Sequence, residues 1–225
     1  LRDEYKNLRA EAAKTHGKTS DEYRKWDDAQ KTVKRLRATF YGLMAFNGFA
    51  WSNINIARTI TYGGRKSLML IKKECEAMGY EVIYGHTDSI FVKLGDEKTP
   101  EECAKLATEL GERLTEICQK DLNSTAVEVE AETLMDRFYL PRRNRYAGRV
   151  VWDPSLKDPF SIQKADIKNR MKMQGLEAKH ANTAKIGREA QYTALKLIWD
   201  GASTEEVVNA LKNHIQMIRM GQVPA

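Results

Sequence analysis

Cysteine is scarce in this chain: three residues in 225, Cys75, Cys103 and Cys118, with no Cys-x-x-Cys pair among them. That spacing excludes a disulfide framework and a zinc module with the usual ligand pattern. Long apolar runs are also missing, since nothing approaches the ~20 residues a bilayer-spanning helix needs. The first ten residues, LRDEYKNLRA, are charged throughout and do not read as a secretion signal. Together these absences point to a soluble intracellular protein, cytoplasmic or nucleoid-associated, with no membrane partner. Hydrophobic residues make up 42% of the chain, enough to bury a core as one large domain or as two to three small ones.

The formal net charge is +6, which suits a polyanion, although an excess of this size also occurs in proteins that never meet nucleic acid. Its distribution says more. From Arg142 to Lys196 basic residues clearly outnumber acidic ones, whereas Glu101 to Glu116 is acidic. A uniformly solvated surface interleaves its signs, so the basic stretch reads as a phosphate track.

Local signals divide the chain into helices and hairpins. Leu1 to Lys14 is rich in helix formers, and His16 to Lys18, with Gly17, makes a break. Thr19 with Glu22 forms a capping-box pattern for a second helix. Helical spacing puts Lys34, Ala38, Tyr41 and Gly42 on one face of it, with Lys31 a turn earlier. Lys66 to Met78 is a further amphipathic helix. Thr99, Pro100 and Glu102 open another by N-cap, N1 proline and capping-box glutamate. A strand pair is expected over Val127 to Glu132 and Phe138 to Leu140, where Glu130 and Glu132 read as solvated residues on a strand face rather than metal ligands. Helices are expected over Asp166 to Met173, Thr183 to Asp200 and Ser203 to Met220, the last with a Ser203 and Glu206 capping box. Hairpin connections without parallel crossovers predict an α+β fold, with helices on one face of an antiparallel sheet.

The segment Glu81 to Leu94, EVIYGHTDSIFVKL, carries the chemistry. Two apolar runs with strand character flank a polar turn that presents Asp88. Carboxylate oxygens are the ligands Mg²⁺ prefers, and one fixed by paired strands can hold a metal against a nucleoside triphosphate. Taken alone, a hairpin with an ordinary polar tip is the plainer reading.

The run Tyr84, Gly85, His86, Thr87, Asp88, Ser89 resembles the C motif of family B (polymerase alpha-like) DNA polymerases, Tyr-Gly-Asp-Thr-Asp-Ser. Lys34 to Gly42, KRLRATFYG, resembles the B motif, Lys-x-x-x-Asn-Ser-x-Tyr-Gly. Arg143 to Gly148, RNRYAG, resembles the Lys-Lys-x-Tyr motif. Thr61 to Arg65 (TYGGR) is similar to the Thr-x-x-Gly-Arg segment, and Gly175 to Glu177 (GLE) to the start of the thumb. The matches follow the family's order across nearly the whole chain, which makes them far more specific together than singly.

The resemblance implies a palm sheet with packed helices over 42–141, preceded by part of a helical fingers hairpin over 1–41 and followed by a helical thumb over 142–225. It implies Asp88 as the catalytic metal ligand, with His86, Thr87 and Ser89 supporting the tip. Lys34 would contact the triphosphate, Tyr41 and Gly42 would shape the nascent base-pair pocket, and Arg9 would be a second triphosphate contact. Arg143, Asn144, Arg145 and Tyr146 would hold the primer end. Plain alternatives are a solvated helix lysine, a core tyrosine before a helix-ending glycine, and a basic surface loop.

Departures from the family pattern are His86 for the first C-motif Asp, Ala38 for the B-motif Asn, Asn144 for the second Lys, and Tyr5 where an arginine is usual. The A motif, source of the other metal-binding aspartate, is absent from this sequence, as are the exonuclease carboxylates. The resemblance therefore implies the C-terminal part of a DNA-directed DNA polymerase, cut from a longer chain or made as the small subunit of a split archaeal enzyme. It would act on primer-template DNA and deoxynucleoside triphosphates, with two Mg²⁺ ions shared with a partner carrying the A motif. The alternatives are a catalytically degenerate polymerase-like subunit with a structural DNA-binding role, and an unrelated basic nucleic-acid-binding domain.

Overall fold

The structure, a computed structural model, describes residues 2–17, 19–125 and 127–222. Leu1 and Lys18, which the sequence places in the first helix and the following break, lie outside them. The chain forms two compact units, residues 1–67 and 68–225.

In the first unit, α1 (Arg2–Thr15) and α2 (Asp21–Ala45) pack as a helical hairpin. Gly17 makes the turn at φ +84, a conformation only glycine adopts freely. The N-cap of α2 is Ser20, whose hydroxyl accepts from the Tyr23 N–H at 3.2 Å, so the expected Thr19 and Glu22 box is not formed. Glu22 instead accepts a hydrogen bond from the Trp26 indole at 3.1 Å. Tyr5 packs on Trp26 with ring centroids 5.8 Å apart. The Asn53 side chain then accepts from the N–H groups of Asn55 and Ile56 and opens α3 (Ile54–Ala77), within which the division between the units falls.

In the second unit α3 ends in a Schellman arrangement: the Tyr80 N–H bonds to the Cys75 carbonyl, the Gly79 N–H to the Glu76 carbonyl, and Gly79 has φ +85. The hairpin β1 (Glu81–His86) and β2 (Ser89–Lys93) follows, antiparallel as expected. Helix α4 (Pro100–Leu122) opens with both halves of the Thr99 and Glu102 capping box in place and Pro100 in its first turn. Ile71 and Cys75 of α3 meet Leu114 and Cys118 of α4 in a core that Val82, Ile90 and Val92 of the hairpin complete. The acidic face of α4 stays outside.

Two expectations fail here. Val127 to Glu132 is not a strand. Its backbone is served by α4 side chains: Thr115 Oγ1 bridges the N–H and carbonyl of Val129, and Gln119 Nε2 donates to the Val127 carbonyl at 3.0 Å. The partner for Phe138 to Leu140 is instead a later segment. β3 (Leu134–Arg142) pairs with β4 (Arg145–Trp152), and β4 with β5 (Met171–Gln174), in an antiparallel sheet of order β3-β4-β5. Asp166 to Met173 is correspondingly no full helix. One turn, α5 (Ile167–Arg170), precedes β5, where buried Met171 and Met173 alternate with more accessible Lys172 and Gln174.

Helix α6 (Lys185–Trp199) covers this sheet, burying Leu195 and Trp199 against Ala147, Met171, Met173, Leu176 and Ala178. Arg149 ties the two layers, gripping Asp136 of β3 with two nitrogens and reaching Asp200 at the end of α6 at 3.3 Å. Helix α7 (Thr204–Arg219), with its Ser203 and Glu206 box formed, packs on α6. The fold is thus α+β, but the single antiparallel sheet expected from the sequence is divided into two small ones.

Candidate active site

His86 pairs with Ser89 across the β1–β2 hairpin, leaving Thr87 and Asp88 as a two-residue turn. Thr87 has φ +53, and the Asp88 N–H reaches the His86 carbonyl over it at 2.7 Å. A bond of this span around a positive-φ residue is the rarer form of γ-turn. Hairpin turns usually fill positive-φ positions with Gly, Asn or Asp, and a β-branched residue there costs of order 1–3 kcal/mol. The turn leaves Asp88 exposed. Its carboxylate accepts a hydrogen bond from the Ser89 hydroxyl at 3.2 Å and makes no ion pair among the described residues.

Behind the tip lies an aromatic cluster that joins the two sheets. Tyr146 is only 7% exposed. Its ring centroid is 5.0 Å from Phe91, 5.6 Å from Phe138, and 6.3 Å from both Tyr84 and His86. Phe91 stacks on Phe138 at 4.9 Å. Burial, aided by Glu132, Tyr84 and Asp88 nearby, pushes the Tyr146 phenol above its ordinary value. His86, half-buried, leans on Tyr84 and Tyr146 while Thr87 Oγ1 lies 3.4 Å from its Nδ1.

The second turn, Arg143 and Asn144 between β3 and β4, meets the first through Tyr84. The Asn144 N–H donates to the Tyr84 hydroxyl at 2.8 Å, and that hydroxyl donates to Asn144 Oδ1 at 3.0 Å. Asn144 has φ +62. Arg143 and Arg145 flank it, both exposed. The sequence-predicted Asp88 and Arg143 to Tyr146 are therefore brought together, with Tyr146 supporting the turn from inside. Glu132, close enough to Tyr146 to act on its phenol, is paired with Lys172 Nζ at 2.9 Å.

The remaining candidates lie in the first unit. Lys34, Tyr41 and Gly42 sit on the exposed surface of α2, and a Cβ at Gly42 would meet nothing within 4 Å. Arg9 is engaged by Asp27 at 3.0 Å, and Asp27 also holds Lys31 at 2.5 Å. These bonds keep the Asp27 carboxyl below its ordinary value, the Lys31 bond most strongly. Asp27, Lys31 and Lys34 recur at helical spacing, so Arg9 is fixed on the stripe that carries Lys34. Sequence reasoning missed Asp27, Phe91 and Phe138, and it placed Tyr84 in the motif run without its link to Asn144. For Tyr84 and Phe91 the signal was there, aromatic residues on facing strands of a hairpin.

Residues 2–225 match the family model for DNA polymerase family B. The chain belongs to this family. It is 26% identical to DNA polymerase 2 of Aeropyrum pernix across 97% of its own length and 23% of that protein's. The figures are 28%, 99% and 24% for the DNA polymerase of Archaeoglobus fulgidus, and 28%, 87% and 24% for DNA polymerase II of Escherichia coli. The chain thus spans about a quarter of the length of these curated relatives. Family membership implies Mg²⁺, and an exposed carboxylate at a constrained tip has the right donor chemistry. Among the described residues no three His, Cys, Asp or Glu side chains are grouped to hold a metal, and Asp88 offers a single carboxylate. No described helix is long and apolar enough to cross a membrane.

Proposed function

We propose that this chain supplies the C-motif half of a DNA-directed DNA polymerase active site and part of its grip on primer-template DNA, working with a segment or partner chain that carries the A motif. The observation that carries the reading is the exposed Asp88 at a strained hairpin tip, tied directly to a turn bearing two exposed arginines. In this reading 1–41 belongs to the fingers, 42–141 to the palm and 142–225 to the thumb.

Asp88 and the A-motif aspartate would hold two Mg²⁺ ions. Bound there, the ions supply charge neutralisation for the attacking 3′-oxygen and the leaving phosphate oxygens. Lys34 offers a mobile point charge to the triphosphate, with Arg9 nearby on the same stripe. Tyr41 and Gly42 bound the nascent base pair with a ring beside open space. Arg143 and Arg145 contact phosphates, which carry no sequence information and so tolerate any template. The basic run through β5 and α6 extends that track along the duplex.

The polymerase reading is tested by primer extension. The chain mixed with an A-motif-bearing partner is expected to give template-directed, Mg²⁺-dependent synthesis, while the isolated chain gives none. Synthesis by the isolated chain would refute it. A catalytically degenerate subunit is the second reading, favoured by His86 in place of a carboxylate; it predicts DNA binding by the mixture without synthesis.

A further inference from the structure

Asn144 stands where the family pattern has a lysine, and the structure gives it other work. Its backbone N–H and its side-chain oxygen both engage the Tyr84 hydroxyl, at 2.8 and 3.0 Å, so that one phenol is satisfied as acceptor and as donor by a single residue. Among the described residues no other hydrogen bond ties the β1–β2 hairpin to the β3–β4 hairpin. A third segment closes on the same residue. Gly175, at φ +63, passes so near that a Cβ there would lie 2.1 Å from the Asn144 carbonyl oxygen. Lysine at 144 would bring donors only and lose the bond from the phenol, whereas asparagine accepts it and tolerates the positive φ the turn requires.

We infer that Tyr84 and Asn144 form a positioning joint that holds the Asp88 tip in fixed register with the turn carrying Arg143 and Arg145. The residue exchanged a DNA-facing charge for a mechanical link, so that the primer grip and the metal-binding carboxylate move as one piece. Neither residue touches the reacting atoms in this account. The catalytic consequence rests on the polymerase reading, whereas the joint itself does not.

The test uses the chain with its A-motif partner and the variants Tyr84→Phe, Asn144→Gly, Asn144→Asp and the double variant Tyr84→Phe with Asn144→Gly. Phenylalanine keeps the ring and removes the hydroxyl; glycine keeps the positive φ and removes the acceptor. Three quantities are read: backbone amide exchange over residues 84–90, single-turnover incorporation, and primer-template Kd. Asn144→Gly should speed exchange at the tip and slow incorporation by about threefold to tenfold, the worth of the one bond it removes, and Tyr84→Phe, which removes both, should do so at least as much. Primer-template Kd should move by less than about twofold, because the arginines remain. The double variant should be no worse than Tyr84→Phe alone, which already removes both bonds of the joint. Asn144→Asp, which keeps an acceptor and suits positive φ, should leave amide exchange at the tip near the wild-type rate. Unchanged exchange, additive losses, or a defect confined to Kd would overturn the joint. A wild-type mixture that binds DNA without synthesis would instead sink the polymerase reading, and the exchange measurement would still decide whether the joint exists.

Discussion

Thr87 holds a backbone conformation that favours glycine or asparagine, and it does so beside the exposed carboxylate. Strain of this kind persists where the surroundings over-determine it, here by the strand pairing on one side and the aromatic cluster on the other. Thr87→Asn should raise stability by about 1 kcal/mol in a denaturant melt, because asparagine accepts positive φ more readily. A loss of stability would show that the tip is relaxed as it stands. At this scale much was legible. Thr99, Pro100, Glu102, Ser203 and Glu206 act as their sequence positions predict, because capping is a local matter of three residues. Ser20 displaced Thr19 as a cap because adjacent hydroxyl residues offer the same chemistry, and only geometry chooses between them. The burial of Tyr146 was not legible, since it depends on Phe91 and Phe138, from two different hairpins.

The hairpin over 81–93 was readable because its alternation, turn and flanking Gly79 agree. The stretch 127–132 misled because extended chain with alternating burial looks like a strand whatever satisfies its backbone, and here α4 side chains do so. The opposite error at 166–173 came from helix-forming lysines and methionines, although the period-two pattern of Met171 and Met173 was present. Gly111 allows the 127–131 segment to lie against α4. A Cβ there would stand 2.9 Å from the Val129 carbonyl oxygen. Glycine to alanine inside a helix ordinarily gains about 0.5–1 kcal/mol, but Gly111→Ala should instead cost about 1–3 kcal/mol by forcing the segment off the helix. Thermal unfolding of the variant checks the sign, and a stabilised protein would mean the contact is loose.

Across the whole molecule the family was legible, and the family match covers residues 2–225 at 26–28% identity to the relatives. The division into two sheets was not, since it follows from long-range pairing of β4 with β5 that no local pattern encodes. We propose above all that Asp88 contributes an essential metal ligand to nucleotidyl transfer. The direct measurement is single-turnover nucleotide incorporation by Asp88→Asn, in complex with the A-motif partner, beside its primer-template affinity. The amide keeps the shape of the tip but removes the anionic charge. Incorporation should fall on the order of a thousandfold with DNA affinity retained. Incorporation within a few fold of wild type would contradict the assignment.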